Sequence, residues 1–376
     1  MNFNVLEEIL DNAYTRWKVP ACECVVYQNH KRIFYHHAGY SNLARTKAAG
    51  PKDLYWIYSF TKLFTMTLTL RLMEKGLLKL EDPIEKFLPS WSDLTVRREG
   101  EIIPCQVRPT ILHLMTMAAG PNYKLDSPSI LKLYQKDVST ISLRMVADAL
   151  SGEPLDFEPG EHFQYSLCHD LLGAVLEVAA GRPFAELMQE HIIAPLGMID
   201  TTFFPSEKQY RRLSRQYQYI SDSQTLKPIG KRNPFVFSPL FASGGAGLMS
   251  CSQDLALLCD ALANLGVGAT GVRILEEESV RLMAKAHLTE AQKKDFNTMK
   301  PHPYSYGLGV RTLTEPLGRV PAGEFGWDGA AGSYNLIDTD RHFSLVYTQH
   351  VIEHNLCYGE IHPLLRDTLY EILDRG

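Results

Sequence analysis

The chain has 376 residues, 45% of them hydrophobic, enough to bury a large core and to build two lobes around it. Its 38 Lys and Arg are interspersed among 43 Asp and Glu, a formal net charge of −5 that leaves no basic tract for nucleic acid or an anionic membrane. No apolar run is long enough to cross a bilayer, and the seven scattered cysteines contain no C-x-x-C pair for zinc or redox chemistry.

The first residues carry acids early and lack a basic stretch followed by an apolar one, so residues 3–18 are read as an amphipathic helix rather than a signal peptide. With the cysteines taken as buried reduced thiols, the expectation is a soluble cytoplasmic protein. Residues 22–28 and 32–37 have strand character and are joined at Asn29-His30, which predicts a hairpin. Helical patterns dominate from Ser59 to about Glu190, broken by loops at 88–92, 120–122 and 155–160. Strands return at 306–312, 323–327, 333–338 and 343–350, before a last amphipathic helix over 361–374. The pattern predicts an α/β (α+β) fold: a central antiparallel sheet built from N- and C-terminal segments, flanked by helices, beside a mainly helical lobe. The expected plan is one catalytic domain over 1–376, with a sheet lobe from 1–58 and 238–376 and a helical lobe from 59–237. The polar stretches 221–232 and 288–300 are expected to be long surface loops bordering a site.

Chemistry is suggested first by Ser59-Phe60-Thr61-Lys62, which opens a run of good helix formers closing at Gly76. Residues three apart share a helix face, so the Lys62 amine can approach Ser59 Oγ, a way to make a nucleophilic serine without histidine. The same spacing recurs at Ser129-Ile130-Leu131-Lys132, so context has to decide. Other chemistries fit less well. No serine sits in G-x-S-x-G. Tyr58-x-x-x-Lys62 matches a dehydrogenase pair, but residues 1–57 lack the glycine-rich strand–turn–helix such enzymes need. His350-Val351-Ile352-Glu353-His354 spells H-x-x-E-H, yet it ends a strand and enters an Asn-containing turn, so solvated loop histidines are expected and no metal.

Two further blocks stand out. Glu158-Pro159-Gly160 leads through Phe163-Gln164-Tyr165-Ser166 into a helix over 168–180, and Tyr165 at the junction reads either as a half-buried structural tyrosine or, beside a lysine, as a base. Phe325-Gly326-Trp327-Asp328-Gly329-Ala330-Ala331-Gly332 crowds small residues onto a strand, the mark either of close backbone approach by a ligand or of a tight turn at Asp328-Gly329.

In their joint order these blocks, with Glu74-Lys75-Gly76-Leu77-Leu78-Lys79-Leu80-Glu81-Asp82-Pro83-Ile84, Ile111-Leu112-His113-Leu114-Met115-Thr116, Pro195-Leu196-Gly197-Met198 and Gly244-Gly245-Ala246-Gly247-Leu248-Met249-Ser250, carry a resemblance. From about residue 20 to 350 the chain resembles the serine β-lactamase and penicillin-binding-protein superfamily, in its class C β-lactamase-like branch with the family VIII carboxylesterases. The resemblance implies that Ser59 is the acyl-accepting nucleophile, Lys62 its proton acceptor or electrostatic partner, and Tyr165 a general base. It places the oxyanion hole at the backbone N–H groups of Ser59 and Ala330. It implies no metal and no organic cofactor. The expected partner is a small-molecule ester or amide.

Two departures shape the expected substrate. Penicillin-recognising relatives carry Y-x-N, where this chain has Leu167, and K-T-G or H-x-G, where it has Trp327-Asp328-Gly329. Leu167, Trp327, Asp328 and Gly329 are therefore the expected substrate-binding residues. A carboxylate-bearing β-lactam would lose a polar anchor at each place and meet the charge of Asp328. A third departure, Met117-Ala118-Ala119-Gly120 in place of H-T-S-G, leaves the catalytic assignments intact. The expectation is a carboxylesterase on small uncharged esters. The alternatives are a weak β-lactamase, a D-amino-acid amidase or peptidase, an acyltransferase, or a catalytically silent ligand sensor.

Overall fold

The computed structural model describes residues 1–135 and 137–375. The chain starts with α1 (Asn4–Asp11), and helix resumes at Ala13–Trp17, so the single helix expected over 3–18 is broken at Asn12. β1 (Ala21–Gln28) and β2 (Lys31–Gly39) form the expected hairpin. Asn29 and His30 turn it with φ of 49° and 64°, the left-handed geometry that lets a two-residue turn follow the twist of its strands.

The helical region centres on α2 (Thr61–Glu74), which is buried at every residue from Thr61 to Leu70. A helix apolar or satisfied all round belongs inside a core. α3 (Cys168–Ala180) packs against α2 and ends at Gly181, whose φ of 66° closes it. One short antiparallel pair, Thr95–Arg98 with Glu101–Pro104, interrupts this otherwise helical stretch.

α4 (Ser252–Ala263) precedes the return to the sheet through β3 (Tyr304–Tyr306), β4 (Arg311–Leu313), β5 (Phe325–Gly326), β6 (Tyr334–Asp338) and β7 (Phe343–Gln349). Together these strands form one antiparallel sheet in the order β2-β1-β7-β6-β5-β4-β3. Cys22 lies opposite Gln349 and Gln28 opposite Phe343, so the two ends of the chain meet at the β1–β7 seam. β6 and β7 are buried at every residue, as strands covered on both faces must be. α4 packs on β1, β6 and β7, while α1 packs on β2 and on the C-terminal α5 (His362–Arg375). No helix among the described residues is long and apolar enough to cross a membrane.

The expected strand over 306–312 is a hairpin, because residues 307–310 turn back, with the Gly307 N–H donating to the Val310 carbonyl at 2.8 Å. The stretch 288–300 holds a helix, Glu290–Asn297, started by a reciprocal cap between Thr289 and Gln292. The stretch 221–232 holds strand Thr225–Pro228, paired with Tyr217–Ile220. His350 and His354 are buried rather than solvated. His350 Nδ1 bonds the Ser214 carbonyl at 2.9 Å and its Nε2 accepts the Trp56 N–H at 3.3 Å, while His354 Nε2 bonds the Trp17 carbonyl at 2.8 Å.

Glu23 on β1 is a buried carboxyl of a different kind. It accepts hydroxyl hydrogen bonds from Ser252 at 2.7 Å, Tyr55 at 2.9 Å and Tyr35 at 3.1 Å, yet burial outweighs them and lifts it from 4.5 to about 7. The folded chain therefore holds this proton more tightly than the unfolded one. The resulting stability is complete below about pH 4.5 and is lost as pH rises through about 7. Thermal midpoints of wild type and Glu23→Gln measured across that window should show wild type losing ground to the variant with rising pH. A difference that stays constant from pH 4.5 to 7.5 would rule this out.

Candidate active site

Ser59 sits on a 3₁₀ turn, Tyr58–Phe60, that runs directly into α2. The preceding Tyr55–Trp56 pairs antiparallel with Met249–Ser250, and the Ile57 N–H donates to the Leu248 carbonyl at 3.1 Å. Tyr58 has φ of 46°, a left-handed conformation that costs a non-glycine residue about 1–2 kcal/mol. Its hydroxyl donates to Gln216 Oε1 at 2.6 Å and Phe235 meets its ring edge-on, so the surroundings hold the strained turn immediately before Ser59.

Lys62, one turn on, has no exposed surface. Its amine donates to Ser59 Oγ at 3.3 Å and to the Gly245 carbonyl at 2.8 Å, and among the described residues it makes no ion pair. The Tyr165 ring lies 4.6 Å from the nitrogen and the Tyr123 ring 5.8 Å. Asp170, in the first turn of α3, accepts from Ser243 Oγ at 2.5 Å and from the Gly245 N–H at 3.3 Å, and so anchors the loop whose carbonyl receives Lys62. Burial raises the Asp170 carboxyl, opposed by the Ser243 hydroxyl, Lys62 and the Gly245 N–H. Gly245 leaves no room for a side chain, since a Cβ would stand 2.6 Å from Asp170 Oδ2.

Tyr165 is half-buried and stacks on Trp327, with ring centroids 5.6 Å apart, while Trp327 Nε1–H donates to its phenolic oxygen at 3.1 Å. Tyr123 meets Tyr165 edge-on at 5.4 Å with its hydroxyl against the Ser59 side chain. Burial pushes that phenol well above its ordinary value. Beyond β5 the backbone of Gly329 lies against the Ser59 turn, where a Cβ would fall 2.2 Å from both the Ile57 carbonyl and Ser333 Oγ. The Gly329 carbonyl accepts from the Tyr358 hydroxyl at 2.9 Å and from the Gly332 N–H at 2.8 Å. Those two bonds fix the peptide plane whose other end is the Ala330 N–H. That N–H donates to no group among the described residues, and Ala330 is exposed.

A cavity of about 430 Å³ joins these parts, lined by Ser59, Tyr165, Trp327, Asp328, Gly329 and Ala330 together with Met299, Lys300, Asn355 and Tyr358. A larger groove of about 610 Å³ near Glu177 and Phe204 shares none of these residues. Of the residues expected from sequence, Ser59, Tyr165, Trp327, Asp328, Gly329 and Ala330 line the cavity, and Lys62 touches Ser59 from beneath. Leu167 does not take its expected place. It is 1% exposed in the core, because the chain turns into α3 just after Tyr165, where the Leu167 N–H donates to the Asn122 carbonyl at 3.4 Å.

Asp328 also differs from expectation. It is buried, paired with Lys300 Nζ and with Arg311 Nη1 at 3.3 Å. Burial alone would raise its carboxyl, but Lys300 and then Arg311 hold it well below the usual carboxylate range. The negative charge is there, neutralised by two cations. Sequence reasoning missed Tyr123, Asp170, Lys300 and Tyr358. The stretch 288–300 was expected to border a site, but nothing in it singled out Lys300. The rival pair is set apart by placement: Lys132 is exposed on helix Pro128–Tyr134, and among the described residues Ser129 Oγ bonds only Ser127.

The Beta-lactamase family model matches residues 7–351. Protein Rv1367c of Mycobacterium tuberculosis is 28% identical over 338 residues, covering 86% of this chain and 84% of that protein. Esterase EstB of Burkholderia gladioli is 28% identical over 291 residues, covering 69% and 70%. Among solved structures, the unliganded simvastatin synthase LovD of Aspergillus terreus superposes with a TM-score of 0.80 at 20% identity, covering 99% of both chains. EstCE1, described as a hydrolase with promiscuous acyltransferase activity, superposes with 0.77 at 22%, covering 93% of both. At those identities structural likeness speaks for the fold alone. With the fold shared from end to end and the family model spanning residues 7–351, the chain belongs to the beta-lactamase family and has its β-lactamase/transpeptidase-like fold.

Proposed function

We propose that the protein is a carboxylesterase that works through an acyl-enzyme on Ser59, taking small esters that are apolar around the reacting carbonyl. Members of this fold family are serine hydrolases, and EstB is named an esterase. The observation that carries the proposal is the Ser59 hydroxyl held by a buried lysine at 3.3 Å, beside a phenol and an unengaged backbone N–H in one cavity.

In this reading Ser59 Oγ attacks the ester carbonyl while its proton passes to the Lys62–Tyr165 pair. The negative charge formed on the carbonyl oxygen is met by the N–H groups of Ser59 and Ala330. The carbon–alcohol bond then breaks and the alcohol leaves with the proton. Water repeats the sequence in reverse: its oxygen bonds the acyl carbon, the bond to Oγ breaks, and Ser59 recovers its proton. Trp327 supports Tyr165 twice, by stacking on its ring and by donating a hydrogen bond to the phenolic oxygen. Trp327 and Met299 give the cavity an apolar face near Ser59. The expectation of uncharged substrates rested on polar anchors missing at Leu167 and Trp327 and on the charge of Asp328; the pairing of Asp328 with Lys300 and Arg311 removes only the last of these grounds.

Intact-mass labelling with a fluorophosphonate should add one adduct to wild type and none to Ser59→Ala; an unlabelled wild type would sink the nucleophile assignment. p-Nitrophenyl acetate and butyrate should turn over faster than a chromogenic cephalosporin, and the reverse ranking would favour a β-lactamase. Trp327→Phe keeps the stacked ring and removes the donor to Tyr165. A hydrogen bond to a charged group is worth about 1.5–3 kcal/mol, so kcat should fall about tenfold or more with KM little changed. A loss under about twofold in steady-state assays would count against Tyr165 as the base.

A further inference from the structure

The chain reaches Ser59 through a segment that a distant part of the sequence holds in place. The Leu54 N–H donates to the Arg212 carbonyl at 3.1 Å and the Ser214 N–H to the Leu54 carbonyl at 2.8 Å, a parallel bridge beside the approach to the turn. Beyond Ser214 side chains make the contacts. His350 joins the Trp56 N–H to the Ser214 carbonyl, and Gln216 joins Tyr58 to a surface loop. The Gln216 side chain is buried and all of its amide is engaged. Its Oε1 accepts from the Tyr58 hydroxyl at 2.6 Å, while its Nε2 donates to the Gly230 carbonyl at 2.9 Å and the Arg232 carbonyl at 3.2 Å. Two carbonyls on the nitrogen fix which way the amide faces and leave its oxygen to Tyr58. The same loop takes another bond, from Trp56 Nε1–H to the Lys231 carbonyl at 2.8 Å. Gly230, Lys231 and Arg232 are exposed, so a strap at the surface is tied to the two side chains that flank Ile57, just before Ser59.

A left-handed φ of 46° at a tyrosine persists only where its surroundings over-determine it. We propose that Gln216 is a positioning residue for acyl transfer: by holding the Tyr58 hydroxyl it keeps the left-handed turn that aims Ser59 Oγ at Lys62 and into the cavity. The inference rests on the reading of Ser59 as nucleophile. Gln216 does not line the cavity, so it acts through Tyr58 rather than by touching the ester. The effect is large for a remote contact because attack on a carbonyl requires the nucleophile in near-attack geometry.

Gln216→Met and Tyr58→Phe break the bond from either end, the second while keeping the ring that meets Phe235. Fluorophosphonate labelling carried to completion counts the competent sites. Its rate, like kcat/KM for p-nitrophenyl acetate per labelled site, reads the attack by Ser59. In each variant both rates should fall about tenfold. The double variant should fall no further than the more impaired single one, since the two changes remove one interaction. A side chain that serves stability alone would lower the labelled fraction or the thermal midpoint and leave the rate per labelled site unchanged. Should Gln216→Met fail to fold, Tyr58→Phe decides by itself. Rates per site within about twofold of wild type, or losses that multiply in the double variant, would overturn the positioning role. An unlabelled wild type overturns the nucleophile and this role with it, whereas a labelled wild type beside unimpaired variants refutes the positioning role alone.

Discussion

Burying the Lys62 amine sets the terms for everything around Ser59. A lysine with no exposed surface and no ion partner among the described residues must place its donors on neutral oxygens, since each buried polar group left unmet costs about 1–3 kcal/mol. The oxygens are the Ser59 hydroxyl and the Gly245 carbonyl, and the second has to be brought in from a distant part of the chain. Much of the local structure serves that approach. Gly245 allows close contact, Asp170 and Ser243 brace the loop, Thr65 Oγ1 donates to the Gly244 carbonyl at 2.6 Å, and the Leu248 N–H donates to Thr61 Oγ1 at 3.2 Å. α2 and the 243–248 segment are thereby locked in one register, and the serine inherits that rigidity.

The opposite wall depends on a second buried network. Arg311 on β4 reaches Glu324, Asp328 and the Asn335 carbonyl, so one guanidinium ties β4 to the segments on either side of β5. Removing one member of such a buried network leaves its partner uncompensated, a loss of about 3–5 kcal/mol. The segment after β5 that carries the Ala330 N–H is therefore stiff on its far side, while Tyr358 pins the Gly329 carbonyl. Trp327 sits where the two walls meet, packed edge-on against Tyr306 and stacked on Tyr165.

Much of this was readable without coordinates, and the limits are instructive. The β1–β2 hairpin and α3 were legible because Asn29-His30 and Gly181 are local signals that act over a few residues. The split of 306–312 into two strands was not, because the turn there depends on Gly307 meeting Val310 rather than on a break in apolar character. Ser59, Lys62 and Tyr165 were legible through spacing and order. Lys300, Tyr358 and Asp170 were not, since each reaches the site by a tertiary approach with no fixed offset from a motif. Asp328 shows the same limit in electrostatic form: its charge is visible in sequence, and its neutralisation by Lys300 and Arg311 is visible only when the fold brings them together. Leu167 fails for a geometric reason, because two residues after Tyr165 the chain has already rotated into a helix.

The seam between β1 and β7 has a consequence for how the molecule comes into being. On a ribosome Ser59, Lys62 and Tyr165 all emerge well before Trp327 and Ala330, and β1 must wait with an unpaired edge until β7 is synthesised. Pairings that distant in sequence close slowly, and a waiting edge strand is the kind of surface that other chains can capture. The nascent polypeptide thus carries Ser59 without the opposite wall of its cavity through most of its synthesis. The last strands to appear complete both the sheet and the wall of the cavity opposite Ser59, so that the fold and the cavity are finished together.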